Sequence, residues 1–205
     1  MVSSTVNRTR VLIQDEPWVV IPQKLLELPE PTQFASITRA VSKVVFAVPW
    51  LEELPPPHIE AYLVACARIV VPNYGKDEID VLSARLVSQY EPLVTKNIAR
   101  KQKKALEELA PRLASPDARP IPIEALTGAL AHAELRTAYL VTGDLLATID
   151  ELRGMDAKFL KATANPGRAA LGAVLSHRFA GDVSRFALTP EATALRRRVG
   201  SAWAG

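Results

Sequence analysis

Few side chains in this chain combine the chemical types and the spacing that catalysis or metal binding requires. The 205 residues include three histidines and one cysteine, which are His58, His132, His177 and Cys66. A metal ion needs ligands that converge within about 2 Å of it, as His-x-x-x-His on a helix or Cys-x-x-Cys across a turn provides. Neither pattern occurs, and a glycine-rich phosphate loop and a Gly-x-Ser-x-Gly elbow are also missing. We therefore expect no catalytic residue, no metal site and no cofactor.

The isolated histidines and the cysteine also fit ordinary structural roles. His132 lies two residues before Glu134 in an apolar-rich segment, where a histidine and a carboxylate can act as an acid–base pair or make a local hydrogen bond. Cys66 lies between two alanines, so we expect a buried thiol with a raised pKa and little reactivity. The sequence favours a chain without enzymatic activity, and an enzyme with an unrecognised site is the alternative.

The composition predicts a folded chain with a mild electric field. Hydrophobic residues make up 48% of the sequence, and 25 basic against 22 acidic residues give a net charge of +3. A polar stretch follows Met1 where a secretory signal would be apolar, and the apolar runs end well short of the ~20 residues that a membrane span needs. We expect a cytoplasmic protein without a membrane span, with its one cysteine reduced.

Hydrophobic periodicity predicts a mainly α fold of about eight helices, with a small β-hairpin or sheet edge at the N-terminus. The expected strands are 11–13 and 18–21, joined by a turn at Asp15-Glu16-Pro17. The expected helices cover about 32–48, 55–71, 77–90, 92–109, 123–142, 145–152, 165–177 and 189–198. The first of them carries apolar residues at helical spacing, namely Phe34, Ile37, Val41, Val44, Val45 and Val48. Gly143 ends one helix and Asp144 caps the next.

A proline-rich segment marks a candidate boundary between two parts of the chain. Residues 111–122 include Pro111 and Pro120, which cannot sustain a helix and are typical of a surface connection. We predict an N-terminal part, 1–110, with the β element and several helices, and a C-terminal helical half, 123–205. The two parts are expected to share one core.

The densest charge cluster predicts either a solvated helix face or an anion-binding surface. On a helical wheel Lys96, Arg100, Lys103 and Lys104 share one face, opposite an apolar face of Val94, Ile98, Ala105 and Leu109. Such a face can contact nucleic acid or another anionic surface, but a net charge of +3 is small for a nucleic-acid binder, and we favour the solvated face. The short run Arg196 to Arg198 complements the end of the last helix.

Two stretches together resemble peptidases of the M48 zincin type. The strand Trp18-Val19-Val20-Ile21, the segment Leu25-Leu26-Glu27-Leu28 and a helix from Thr32 resemble the approach to that family's zinc helix, which carries His-Glu-x-x-His. Residues 136–146, which end in Val141-Thr142-Gly143-Asp144-Leu145-Leu146, are similar to the family's later helix, which brings a glutamate ligand and then an aspartate. The resemblance covers about a quarter of the chain.

The chain departs from the family at the residues that carry the chemistry. Arg39, Ala40 and Lys43 occupy the positions of the two histidines and the glutamate, and cations cannot ligate zinc. In the later helix Ala131 or Leu135 falls near the acidic positions, with Glu134 displaced from that register. The resemblance implies a catalytically degenerate domain, as at the ends of large bacterial helical-repeat proteins. It also implies a cleft in which Arg39, Ala40 and Lys43 face the helix of Glu134 and Arg136.

These observations predict a binding protein. We expect a non-catalytic protein-interaction or scaffold module, with a protein partner or self-association, and nucleic-acid or anionic-surface binding through Lys96 to Lys104 is the alternative. Trp50 follows a helix break and Trp203 lies near the end of the sequence. Large aromatic residues at such margins contact partners or cover their own core, and both interpretations remain open.

Overall fold

A computed structural model describes residues 1–13, 15–115, 117–118, 120 and 122–201. These residues form ten α-helices and a small N-terminal sheet, which confirms the mainly α class with a small N-terminal β element. None of these helices combines the length and the apolarity that crossing a membrane requires. The chain divides into two compact units: the first consists of Met1–Trp50 with Ala129–Gly205, and the second of Leu51–Gly128.

The helices lie close to the expected positions in most of the chain. They are α1 (Glu30–Val45), α2 (Pro56–Arg68), α3 (Val81–Asn97), α4 (Arg100–Leu113), α5 (Ile123–Thr142), α6 (Leu145–Arg153), α7 (Ala157–Ala162), α8 (Arg168–Ser176), α9 (Arg178–Ala187) and α10 (Pro190–Arg198). Two short 3-10 helices, Gln23–Glu27 and Pro49–Glu52, flank α1. The sequence did not predict α7 and α9, which begin at the caps Asp156 and His177.

The sheet of the first unit has three strands in the order β1-β3-β2, where β1 is Val2–Ser3, β2 is Arg10–Ile13 and β3 is Pro17–Pro22. β2 and β3 form the predicted antiparallel hairpin, with Arg10 opposite Val20. β1 adds a parallel edge, in which Val2 is opposite Ile21. A two-residue strand has no periodicity of its own, so the sequence carried no signal for β1.

The expected helices at 77–90 and 92–109 were placed wrongly, because the break between α3 and α4 lies at residues 98–99 and not near Pro92. α3 continues through Pro92. A proline inside a helix costs about 3 kcal/mol. The burial of Leu86, Val87 and Val94 in the core of the second unit outweighs this cost. The chain turns instead at Ile98 and Ala99, whose backbones are extended. Lys96 and Arg100 therefore belong to two helices rather than to one continuous face.

The N-cap of α3 is also three residues later than predicted. Asp80, and not Asp77, accepts hydrogen bonds from the backbone amides of Leu82 and Ser83, at 2.7 and 2.9 Å. The hydrogen bonds lower the pKa of Asp80, with that from Ser83 contributing most. An aspartate at Ncap satisfies amides that have no partner within the helix, which explains why the helix begins there.

The two units divide the chain at different places from the predicted linker at 111–122. The unit boundaries fall after Trp50 and after Gly128. α4 continues through Pro111 to Leu113, and α5 begins at Ile123, so the first three residues of the predicted linker are helical. α5 contributes its first residues to the second unit and the rest to the first unit. The first unit is therefore discontinuous in sequence, a feature that composition does not reveal.

The core of the first unit lies around the C-terminal half of α5. Its buried residues are Leu135, Tyr139, Ile149, Leu152, Phe159, Ala180, Val183 and Ala192. Gly143 (φ +69°) and Asp144 join α5 to α6 as predicted, and the Asp144 carboxylate accepts a hydrogen bond from the amide of Ala147 at 2.9 Å. A left-handed glycine followed by a cap fixes the turn between two core helices.

Candidate functional site

A contact of three alanines brings the predicted cleft positions together. Ala35 on α1, Ala138 on α5 and Ala147 on α6 form a small buried cluster, in which the absence of larger side chains lets the helices approach closely. One helical turn from each alanine, four residues along the chain, stands a charged residue. These residues are Arg39, Glu134 and Glu151.

Arg39, Lys43, Glu134 and Glu151 form a buried group that we call the charge cluster. Arg39 donates a hydrogen bond from Nη1 to the Glu151 carboxylate, and its Nη2 lies 3.4 Å from Oε2 of Glu134. Lys43 Nζ lies 3.8 Å from the same Glu134 oxygen. The side chains of Arg39 and Glu134 are only 10% and 8% exposed. The charge cluster therefore holds two cations and two carboxylates away from solvent, in mutual contact.

The four residues of the charge cluster carry two positive and two negative charges. Burial lowers the pKa of Arg39, but the carboxylates of Glu151 and Glu134 outweigh it, so that the pKa is raised and the guanidinium stays charged. Arg39 and Lys43 are cations, which cannot ligate a metal ion, and both carboxylates have cationic partners. Among the described residues, no group of three or more His, Cys, Asp or Glu side chains could hold a metal ion.

The structure brings together three of the five predicted cleft residues, namely Arg39, Lys43 and Glu134, and Ala40 is buried beside them at 3% exposure. Arg136 does not join them, because it lies on another face of α5 and donates two hydrogen bonds to Asp182, at 2.8 and 2.9 Å. Glu151 was not among the predicted cleft residues. Glu151 lies four residues after Ala147, on the same side of α6, but nothing in the sequence indicates that α6 packs against α1.

Helix α1 buries its polar side and exposes its apolar side. Its buried residues are Thr32, Ala35, Ser36, Arg39, Ala40, Ser42 and Lys43. The apolar residues Phe34, Val41 and Val45 are instead 49%, 45% and 74% exposed. On a helical wheel these three lie within about 40° of one another, so they form one stripe along α1, which we call the apolar stripe. A helix in a water-soluble fold normally faces its apolar side to the core.

A second ionic group lies on the far side of α5. The Nδ1 atom of His132 is 3.0 Å from the carboxylate of Asp182, which also receives the hydrogen bonds from Arg136. Those bonds from Arg136, together with the neighbouring charges, hold the pKa of Asp182 below its ordinary value. The Arg136 guanidinium also lies 5.0 Å from the ring centre of Phe186. This group holds α9 against α5. His132 thus contacts a carboxylate 50 residues away in sequence, whereas a local hydrogen bond was expected.

The second unit contains a half-open groove between α2, α3 and α4. The groove has a volume of about 590 Å³ and is mainly apolar. Its lining residues are Tyr62, Cys66, Tyr90, Leu93, Val94, Asn97, Ile98, Gln102, Ala105, Leu106 and Leu109. No residue of α4 is buried, so the apolar side of this helix faces the groove without being covered. We call this feature the α4 groove.

The four apolar residues predicted to lie opposite the cations all line the α4 groove: Val94, Ile98, Ala105 and Leu109. The predicted cations Lys96, Arg100, Lys103 and Lys104, together with Lys101, are exposed. Among the described residues, none of these five forms an ion pair within 4.0 Å. The helix break separates Lys96 from the others without changing which side is apolar.

The cysteine, the two other histidines and Trp50 make ordinary structural contacts. Cys66 lines the α4 groove, and burial raises the pKa of its thiol as expected. His58 Nδ1 is 2.9 Å from the Tyr90 hydroxyl, and His177 accepts a hydrogen bond from the Ala180 amide as the cap of α9. Trp50 is half-buried in the 3-10 helix Pro49–Glu52. Trp203 lies outside the described residues.

Comparison of the chain with protein-family models, with curated proteins and with solved structures finds no match. The function is therefore inferred from the side chains and their arrangement.

Proposed function

We propose that this chain is a non-catalytic protein-interaction module on a degenerate zincin-like helical fold. One observation carries the proposal: α1 buries its charged residues in the charge cluster and exposes its apolar stripe. A single helix thus combines a buried charge cluster with an exposed apolar stripe. Contiguous exposed apolar surface on a water-soluble protein is typical of a site that contacts another protein.

The charge cluster supports the degenerate part of the proposal. Arg39 and Lys43 are four residues apart on α1, the spacing at which a zincin helix presents its two histidines, and Glu134 faces them from a later helix. In this arrangement opposite charges replace the metal and its ligands. Removing one member of a buried ion pair is costly, so the cluster keeps α1, α5 and α6 in register instead of performing a reaction.

The apolar stripe supports the interaction part. Phe34 and Val45 are eleven residues apart, which on a helix spans about 16 Å. Trp18 and Leu26, on neighbouring elements of the same unit, are also exposed, at 50% and 52%. Aromatic and aliphatic side chains that become fully desolvated contribute most of the binding energy at protein interfaces. A cytoplasmic location is part of the proposal, since a chain with one cysteine cannot close an internal disulfide.

Affinity capture from extract of the source cells tests this function. The immobilised wild-type protein should retain a discrete set of proteins, and the variant with Val41→Gln and Val45→Gln should lose them. Leu146→Gln is the matched control, because Leu146 is 74% exposed on another helix of the same unit. All three proteins should have the same circular dichroism. Capture that is equal in all three, or no capture by the wild type, would contradict the proposed function.

A further inference from the structure

We propose that the α4 groove is a second binding site, which accepts an amphipathic α-helix with acidic flanks from a protein partner. The site is independent of the apolar stripe, because it consists entirely of residues of the second unit. Its floor is apolar, and on a helical wheel Lys101 and Lys103 lie about 90–110° to either side of the face of α4 that lines it, while Arg100 and Lys104 lie on the opposite side of the helix. The size of the groove, the exposure of its edges and its charge together define the partner.

The dimensions of the α4 groove fit an α-helix better than an extended peptide. Gln102, Ala105, Leu106 and Leu109 follow the i, i+3, i+4, i+7 spacing of one helix face and extend about 10 Å along α4. Leu93 on α3 and Leu109 on α4 line the groove and are still 55% and 45% exposed. An occupant that covers both edges must be broad, and a helix has a diameter of about 10 Å with its side chains.

The charge of α4 selects an acidic partner. The helix carries five cations against two carboxylates, and Arg100 and Lys101 lie in its first turn, where the helix dipole is already positive. Cations at that end cost helix stability, and a sequence that breaks a local rule in this way does so most often at a functional surface. The polar lining residues Asn97 and Gln102 lie at the same end of the groove, at the junction of α3 and α4. Acidic residues of the partner are expected there.

The same charge argues against a second copy of this chain as the occupant. A twofold dimer places the same patch of each copy against the other. Two α4 helices in contact would bring together two surfaces that each carry five cations against two carboxylates, a net charge of +3 on each helix. A partner with acidic flanks removes this repulsion and adds attraction.

Fluorescence anisotropy with two synthetic peptides tests the site. Both peptides have about 18 residues, long enough to form a helix, with leucines at i, i+3, i+4 and i+7, and they differ in carrying glutamate or lysine at the flanking positions. The glutamate peptide should bind the full-length protein about tenfold or more tightly than the lysine peptide, and this preference should shrink between about 50 and 200 mM salt. Leu109→Gln should abolish binding, whereas Leu146→Gln should preserve it.

A second variant separates charge from packing. Replacing Lys101 and Lys103 by glutamine should reduce the affinity for the glutamate peptide and leave that for the lysine peptide unchanged or higher. Equal binding of both peptides would overturn the acidic partner, even where capture through the apolar stripe succeeds. Binding of dodecanoate in place of either peptide, or displacement of the glutamate peptide by duplex DNA at low micromolar concentration, would also overturn the proposal and assign the surface to a small amphiphile or to nucleic acid.

Discussion

Removing the Glu134 charge should destabilise the protein far more than removing an exposed carboxylate. Glu134→Gln removes a buried carboxylate that lies within 4.0 Å of both Arg39 and Lys43, so the charge cluster loses one of its two negative charges. Breaking a buried ion pair by removing one partner costs about 3–5 kcal/mol. In a chain of this size that corresponds to a fall in Tm of about 6–20 °C. Glu124→Gln, at an exposed position of the same helix, should change stability by about 0.5 kcal/mol or less.

Urea unfolding followed by circular dichroism measures both free energies of unfolding. A third variant tests whether charge compensation is the cause: replacing all four members of the charge cluster by methionine or leucine should leave stability unchanged or raise it by about 1–4 kcal/mol, because the four buried charges are then removed together. A Glu134→Gln variant within about 1 kcal/mol of wild type would refute this account. Collapse of the fourfold apolar variant would refute it as well.

Three further predictions concern the first unit. Gly143→Val should cost about 1–3 kcal/mol, because φ is +69° and a Cβ would lie 2.7 Å from Arg196, whereas Gly172→Ala, with nothing within 4 Å, should gain about 0.5–1 kcal/mol; thermal unfolding compares them. Asp182 has a lowered pKa, so its contribution to stability is complete above about pH 5 and is lost as the pH falls through the folded-state pKa; the Tm difference between wild type and Asp182→Asn should therefore shrink below about pH 4. Arg39→His with Lys43→His should bind about one zinc ion by titration calorimetry, whereas the wild type should bind none, and no binding by the variant would show that these side chains do not converge.

The sequence predicted most elements of the fold because the signals are local. Gly143 and Asp144 end α5 and begin α6, and Thr189 with Pro190 starts α10, each by a capping pattern within a few residues. Pro92 and Pro111 wrongly indicated helix ends. Both lie inside helices, which tertiary contacts or helix-favouring neighbours stabilise despite the proline. Short α7 and α9 were missed, although Phe179, Val183 and Phe186 carry a helical spacing.

The candidate sites were less predictable because their partners are distant in sequence. Arg39 and Glu151 are 112 residues apart, and no local pattern pairs them. The apolar spacing of Phe34, Val41 and Val45 correctly indicated a helix. Spacing alone does not tell which side of a helix is buried, and in α1 the polar side is buried. The α4 groove depends on the break at Ile98, which lets residues of both α3 and α4 line it together with those of α2.

Site-specific photo-crosslinking in living source cells tests the central claim most directly. A benzoylphenylalanine at position 41, in the middle of the apolar stripe, places the reactive group where a partner should lie, and position 171, where Leu171 is 58% exposed on α8, is the control. The account predicts a discrete crosslinked species from position 41 and none from position 171. Crosslinks from neither position, or from position 171 alone, would contradict the claim that the apolar stripe of α1 is an interaction surface.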